Sequence, residues 1–235
     1  MLKTNLTIIL LCVLFFGCSG PHSIGYPINT LGGPQIRYTT PVQVRTLADR
    51  RPFFERQPTD AVTNYTFYTT DADFNEPVAD GITRAMQLEL ANAGVEVADS
   101  RNHIIGSKPY LRISGDILHY NITRKDMLEE ASDIGKKTLW LPEQYTVKVA
   151  VRIKIIDGKT RALVLQRLYK SSDTVTLRSK MMDYKAYKED PEKSLQWKKA
   201  GDEYFIEILN DHLKYVLAEA RNDIIKQLKR RQKKK

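Results

Sequence analysis

The side chains of this chain that could do acid–base, nucleophilic or metal chemistry are few and scattered. Its four histidines, His22, His103, His119 and His212, fall in a tether-like stretch, a loop, a strand and a helix. No two of them have the spacing that closes around a metal. Glu129, Glu130 and Asp133 form an acidic cluster between strands, where solvation is the plainer role. Carboxylates divide acid and base work only in a cleft that drives their proton affinities apart. A nucleophile elbow, a phosphate-cradling glycine loop and an S-x-x-K pair at a helix start are all missing. The expectation is a chain with no catalytic residue, no metal and no cofactor. What remains is sulfur chemistry, at Cys12 and Cys18.

Cys18 closes a segment with the layout of an export signal. Lys3 supplies a positive start, Leu6 to Phe16 is apolar apart from Thr7, and Gly17 is small. The run is too short for a span, since crossing about 30 Å of hydrocarbon takes about 20 apolar residues. Gly17-Cys18 resembles the end of a bacterial lipobox, although Phe15 and Phe16 stand where that pattern has Leu and a small residue. The resemblance implies cleavage before Cys18 and a diacylglycerol on its sulfur. Each acyl methylene in the bilayer is worth about 0.8 kcal/mol, so several chains make the attachment permanent. Ser19 in place of Asp favours the outer membrane. Cys12 leaves with the signal, so the mature chain cannot form an intrachain disulfide.

About 217 residues follow Cys18, enough for one sizeable domain. The formal charge of +9 is concentrated at one end: Lys226, Lys229, Arg230, Arg231, Lys233, Lys234 and Lys235 leave the rest nearly neutral. Such a tail is either a solvated end or an attractor for a polyanion. Each cation near an anionic surface gains about 1 kcal/mol, and salt screens it. Candidate binding residues are therefore Lys229, Arg230, Arg231, Lys233, Lys234 and Lys235. In an exported protein the partner would be lipid, lipopolysaccharide or cell-wall polymer. Nucleic acid is not expected, because no stacking or base-reading motif accompanies the tail.

The elements that must position these residues read as follows. Residues 19–41 hold four glycines and four prolines without a period and suit a tether with a reach of about 25 Å. "PVQVRTLADRRP" suits a strand running into a polar loop. "VTNYTFYTT" suits a further extended piece, with Tyr65, Phe67, Tyr68 and Phe74 as aromatic contact candidates. Val78, Ile82, Met86, Leu90 and Ala93 recur at helical spacing, and Gly94 suits a left-handed cap. From Tyr110 the period is two. Leu111, Ile113 and Ile117 share one parity and Leu118, Tyr120 and Ile122 the other, so a bulge or bend near Gly115 is expected. Val147 to Ile155 alternates strictly, and Asp157-Gly158 marks a hairpin returning along Ala162 to Tyr169. Phe205, Leu209, Leu213, Val216, Ala220, Ile224 and Leu228 form the stripe of a long terminal helix. The fold class expected is α+β, a two-layer sandwich with a mostly antiparallel sheet covered by two helices. Its expected divisions are a signal at 1–17, the lipidated cysteine and tether at 18–41, one domain at 42–228 and a basic tail at 229–235.

The lipobox, "LADRRP", "LANAGVEV", "LRISGDILHY", the 147–169 hairpin and the long last helix together resemble the YajG-type small outer-membrane lipoproteins. That resemblance implies a periplasm-facing α+β domain without a catalytic site. The expected role is a binding or scaffold module of an envelope complex, held by its N-terminal lipid. The alternative is an auxiliary lipoprotein carrying lipid or lipopolysaccharide, which would need an apolar cavity between sheet and helix. A third reading, an envelope hydrolase, would need a cleft around His119 or Glu129.

Overall fold

A computed structural model describes residues 22–26, 36–57, 66–98, 110–126, 138–139, 142–178, 182–183 and 202–233. The strands are β1 (Tyr38–Val44), β2 (Ala48–Asp49), β3 (Thr66–Tyr68), β4 (Val95–Ala98), β5 (Leu111–Asp126), β6 (Thr138–Leu139), β7 (Pro142–Asp157), β8 (Leu163–Arg178) and β9 (Met182–Asp183). The helices are α1 (Val78–Asn92) and α2 (Asp202–Gln232), with single 3-10 turns at Phe53–Glu55 and Asp71–Asp73. The main sheet runs β4-β1-β5-β7-β8, with β2 and β3 also paired to β5, while β6 and β9 make a separate pair.

The α+β class is as expected, but the sheet is mixed rather than mostly antiparallel. β1 pairs in parallel with both β4 and β5, and β2 with β5. Antiparallel pairing begins where β5 meets β3 and β7, and continues from β7 to β8. For β1 and β4 the order of elements fits parallel pairing, since α1 between them can carry the chain back to the end at which β1 began.

Periodicity placed the core correctly. Val147, Val149, Val151, Ile153 and Ile155 of β7 are buried, as are Leu209, Leu213, Val216, Ala220, Ile224 and Leu228 of α2. Ile206 and Leu217 widen the α2 stripe. The parity change in β5 is real and sits at the register shift between Ile117 and His119. Gly115 instead allows close approach of two strands, since a Cβ there would lie 2.0 Å from the carbonyl oxygen of Arg152 on β7. Gly94 has the positive φ of 81° expected of a helix cap.

Both helices lie on one face of the sheet and touch each other. The other face carries Gln43, Arg112, Ser114 and Asp116, with Asp116 accepting weak ion pairs from Arg152 at 3.5 Å and Lys154 at 3.8 Å. The β7–β8 hairpin forms, but β8 runs well past Tyr169 to Arg178. Its turn is also longer than a two-residue one, with Asp157 N–H bonded to Ala162 O and the positive φ at Arg161. Among the described residues no helix is long and apolar enough to cross a membrane.

Candidate functional site at the N-terminal strap

The segment expected to be free tether is partly built into the fold. Residues 22–26 form a strap across the helix side, only four positions beyond Cys18. Its entry is held by backbone bonds, His22 N–H to Asp73 O at 2.8 Å and Asn75 N–H to His22 O at 3.0 Å. Ile24 then drops into the core at 3 % exposure. It can do so because residue 81 of α1 is glycine: a Cβ there would stand 2.7 Å from the Ile24 Cβ.

Asn210 of α2 clamps the strap. Its Oδ1 accepts from Gly25 N–H at 3.0 Å, and its Nδ2 donates to Ser23 O at 3.2 Å. The same Oδ1 accepts from the buried hydroxyl of Tyr120 at 2.7 Å, so one amide links strap, helix and sheet. Burial raises the Tyr120 phenol well above its usual range. Gly25 has φ of 120°, where a side chain would be strained. At the exit Tyr26 donates to Glu89 Oε1 at 2.8 Å, while Arg221 holds the other oxygen at 2.7 Å. Burial, and then that bond to a carboxylate, pushes the Tyr26 phenol up.

Beneath the entry lies a buried ionic knot. Arg51, whose side chain is 0 % exposed, donates to both carboxylate oxygens of Asp49, at 3.0 and 2.8 Å, to Asp71 and to Glu55 O. Burial alone would lift the Asp49 carboxyl, but the hydrogen bonds and charge of Arg51 outweigh it and hold that carboxyl low. Glu55 is buried too, and its Oε1 lies 2.6 Å from His119 Nδ1. His119, itself partly exposed, is therefore the partner of a buried carboxylate. A His–carboxylate pair orients an imidazole for proton transfer, but it needs a nucleophile or bound substrate within reach to act. His212 bonds Ser171 Oγ at 2.8 Å across the α2–β8 contact. Among the described residues no three His, Cys, Asp or Glu gather to hold a metal.

The basic residues are divided by the fold. Lys229, Arg230 and Arg231 form the last turn of α2, which runs to Gln232, so the folded body continues beyond the expected boundary at 228. Lys229, Arg230 and Lys233 are exposed. Arg231 is instead committed to Asp157 on the β7–β8 turn, at 2.6 Å. Backbone N–H of Thr160, followed by Arg231 and Lys159, outweighs a smaller opposing effect of burial and brings the Asp157 carboxyl down to about 2. Cys18, Lys234, Lys235, Tyr65, His103 and the Glu129–Glu130–Asp133 cluster lie outside the described residues.

A helix with cations in its last turn complements its own dipole, a structural use for charges that the sequence offered as a polyanion site. At 1.5 Å per residue, Arg231 lies about 30 Å along α2 from Asn210. Of the aromatic candidates, Phe74 is buried and packs on Tyr120 at 5.4 Å. Among the described residues the exposed aromatics are Tyr215 on α2 and the adjacent pair Phe53 and Phe54, which no periodic pattern singled out. Their signal was the doublet itself, inside the polar "DRRPFFERQP".

No family model and no curated protein matches the chain. Among solved structures it is similar to a Xanthomonas campestris protein of family model DUF330, with 11 % identity, TM-score 0.43, and 92 % of this chain and 98 % of that one covered. It is also similar to a homologue of neuraminyllactose-binding hemagglutinin from Helicobacter pylori, with 12 % identity, TM-score 0.48, and coverage of 92 % and 100 %. A third likeness is to lipoprotein GNA1162 from Neisseria meningitidis, with 9 % identity, TM-score 0.26, and coverage of 68 % and 99 %. Likenesses this remote carry no functional argument.

Proposed function

We propose that this chain is a non-catalytic lipoprotein of the bacterial cell envelope, acylated at Cys18 and facing the periplasm from the outer membrane as a binding or scaffold module. The strap is the observation that supports this most directly. Residues 22–26 are bonded to the folded body four positions after Cys18, with Ile24 in its core, so a force on a lipidated cysteine is passed to that body. The charged sheet face carrying Arg112, Asp116, Arg152 and Lys154 is the surface this reading assigns to a protein complex or an anionic envelope polymer. The YajG-type resemblance belongs to the same reading.

The lipid-carrier alternative depends on a cavity between sheet and helices. Where the described residues meet, that layer is filled by side chains such as Val149, Val151, Leu213 and Leu217, all at 0 % exposure. The scaffold reading is the better supported.

Metabolic labelling with a clickable fatty acid tests the anchor. The wild-type chain should be labelled and fractionate with the outer membrane, and Cys18→Ala should be neither. An unlabelled wild type would end the proposal. In-cell crosslinking then tests the scaffold role, with a protein or polymer adduct expected and adducts to lipid alone counting against it.

A further inference from the structure

The turn Phe53–Glu55 presents two adjacent aromatic side chains to solvent, Phe53 at 60 % and Phe54 at 41 % exposure, next to the exposed Arg50. The residues on either side of the doublet are fixed from below. Arg51 is locked into Asp49, Asp71 and Glu55 O, and Glu55 is locked onto His119 and the Tyr120 N–H. Arg51 and Glu55 thus fix the turn from below while both rings stay exposed above it. Exposed Phe rings three and four residues after an exposed arginine suit the water–lipid boundary, where apolar rings enter the acyl edge and cations stay among phosphates.

The turn is also tied to the start of the strap. Asp71 N–H bonds Arg56 O at 3.2 Å, and Asp73 O, one 3-10 turn further, accepts from His22 N–H at 2.8 Å. His22 is four residues from Cys18, which spans at most about 14 Å when fully extended. A membrane holding Cys18 therefore comes close to this part of the fold.

We propose that the Phe53–Phe54 turn sits in the headgroup layer of the phospholipid bilayer that anchors Cys18. This rests on acylation of Cys18. Because acyl chains already make attachment permanent, the turn sets the orientation of the body and adds little to its retention. The α2 end bearing Lys229 and Arg230 then points away from the anchor, about 30 Å along the helix.

The test uses the mature acylated chain in vesicles of phosphatidylethanolamine and phosphatidylglycerol. With Cys18 blocked as a thioether, Phe53→Cys supplies a single free thiol for an environment-sensitive fluorophore, and Phe54→Cys repeats the measurement. Leu163→Cys, at 59 % exposure beside the β7–β8 turn, is the distant control. Circular dichroism checks that each variant is folded, and mass spectrometry checks acylation. At positions 53 and 54 the emission should shift to the blue and fall about two-fold with a nitroxide-labelled lipid, as for a probe roughly 5–10 Å into the interface. Position 163 should not respond. Acylated protein with unquenched probes at 53 and 54, or with equal quenching at 163, overturns the inference. An unacylated Cys18 instead overturns the anchoring reading, and this inference with it.

Discussion

At the Asn210 end of α2, an amide sealed from water joins the strap, the sheet and the helix; at the Arg231 end, a half-buried guanidinium reaches one partly exposed carboxylate on a turn. The same helix is thus held in two ways. Near Asn210 the Tyr120 hydroxyl and the Asn210 amide are buried and depend on each other, so the loss of one leaves the other without its partner. Near Arg231 water can replace a missing partner. The strap end is where the fold is brittle, and it is also the end next to Cys18.

The largest difference should come from the two arginines. Arg51→Met leaves Asp49 and Glu55 O without their donor and should cost about 2–4 kcal/mol, less than for a wholly buried pair because Asp49 and Asp71 keep some water. Arg231→Met should cost less than about 1 kcal/mol. Urea melts of both variants measure this, and equal losses would remove the distinction. Asn210→Ala comes next. It strands the Tyr120 hydroxyl and frees Gly25 and Ser23, for about 1–3 kcal/mol, and limited proteolysis should cut the strap ahead of global unfolding. If the strap stays protected in that variant, Asn210 is not its clamp.

Gly81→Ala separates strap from helix. The change favours helix by up to about 1 kcal/mol, yet the new Cβ displaces Ile24. The strap should become protease-sensitive while the helix signal in circular dichroism is kept. The smallest effect concerns acid. The Asp157 carboxyl lies at about 2 in the folded chain against 3.8 ordinarily, so its contribution is complete above about pH 4 and is lost as pH falls towards 2. Asp157→Asn should therefore lower the melting temperature at pH 7 and leave it nearly unchanged at pH 2. A deficit that persists at pH 2 would show that the turn, not the charge, was lost.

Much of this architecture was legible in single stretches of sequence. The stripe from Leu209 to Leu228, the alternation from Val147 to Ile155 and the parity change after Ile117 each record which side of an element meets water, and that is a local property. The strap was not legible. "PHSIGYP" has the glycine and proline content of a linker, and what draws it in lies 185 residues away at Asn210 and in the notch over Gly81. The pairing of Arg231 was not legible for a similar reason, because the carboxylate that engages it belongs to Asp157, 74 residues earlier.

The sequence by itself determined the main elements and their buried faces, because hydrophobic period and turn chemistry act over a few residues. Only the tertiary structure decided that β1 pairs in parallel with β4 and β5, that residues 22–26 belong to the body, and which cations remain exposed. Those outcomes depend on partners distant in the chain, brought together by burial of the common core, and no local pattern encodes them.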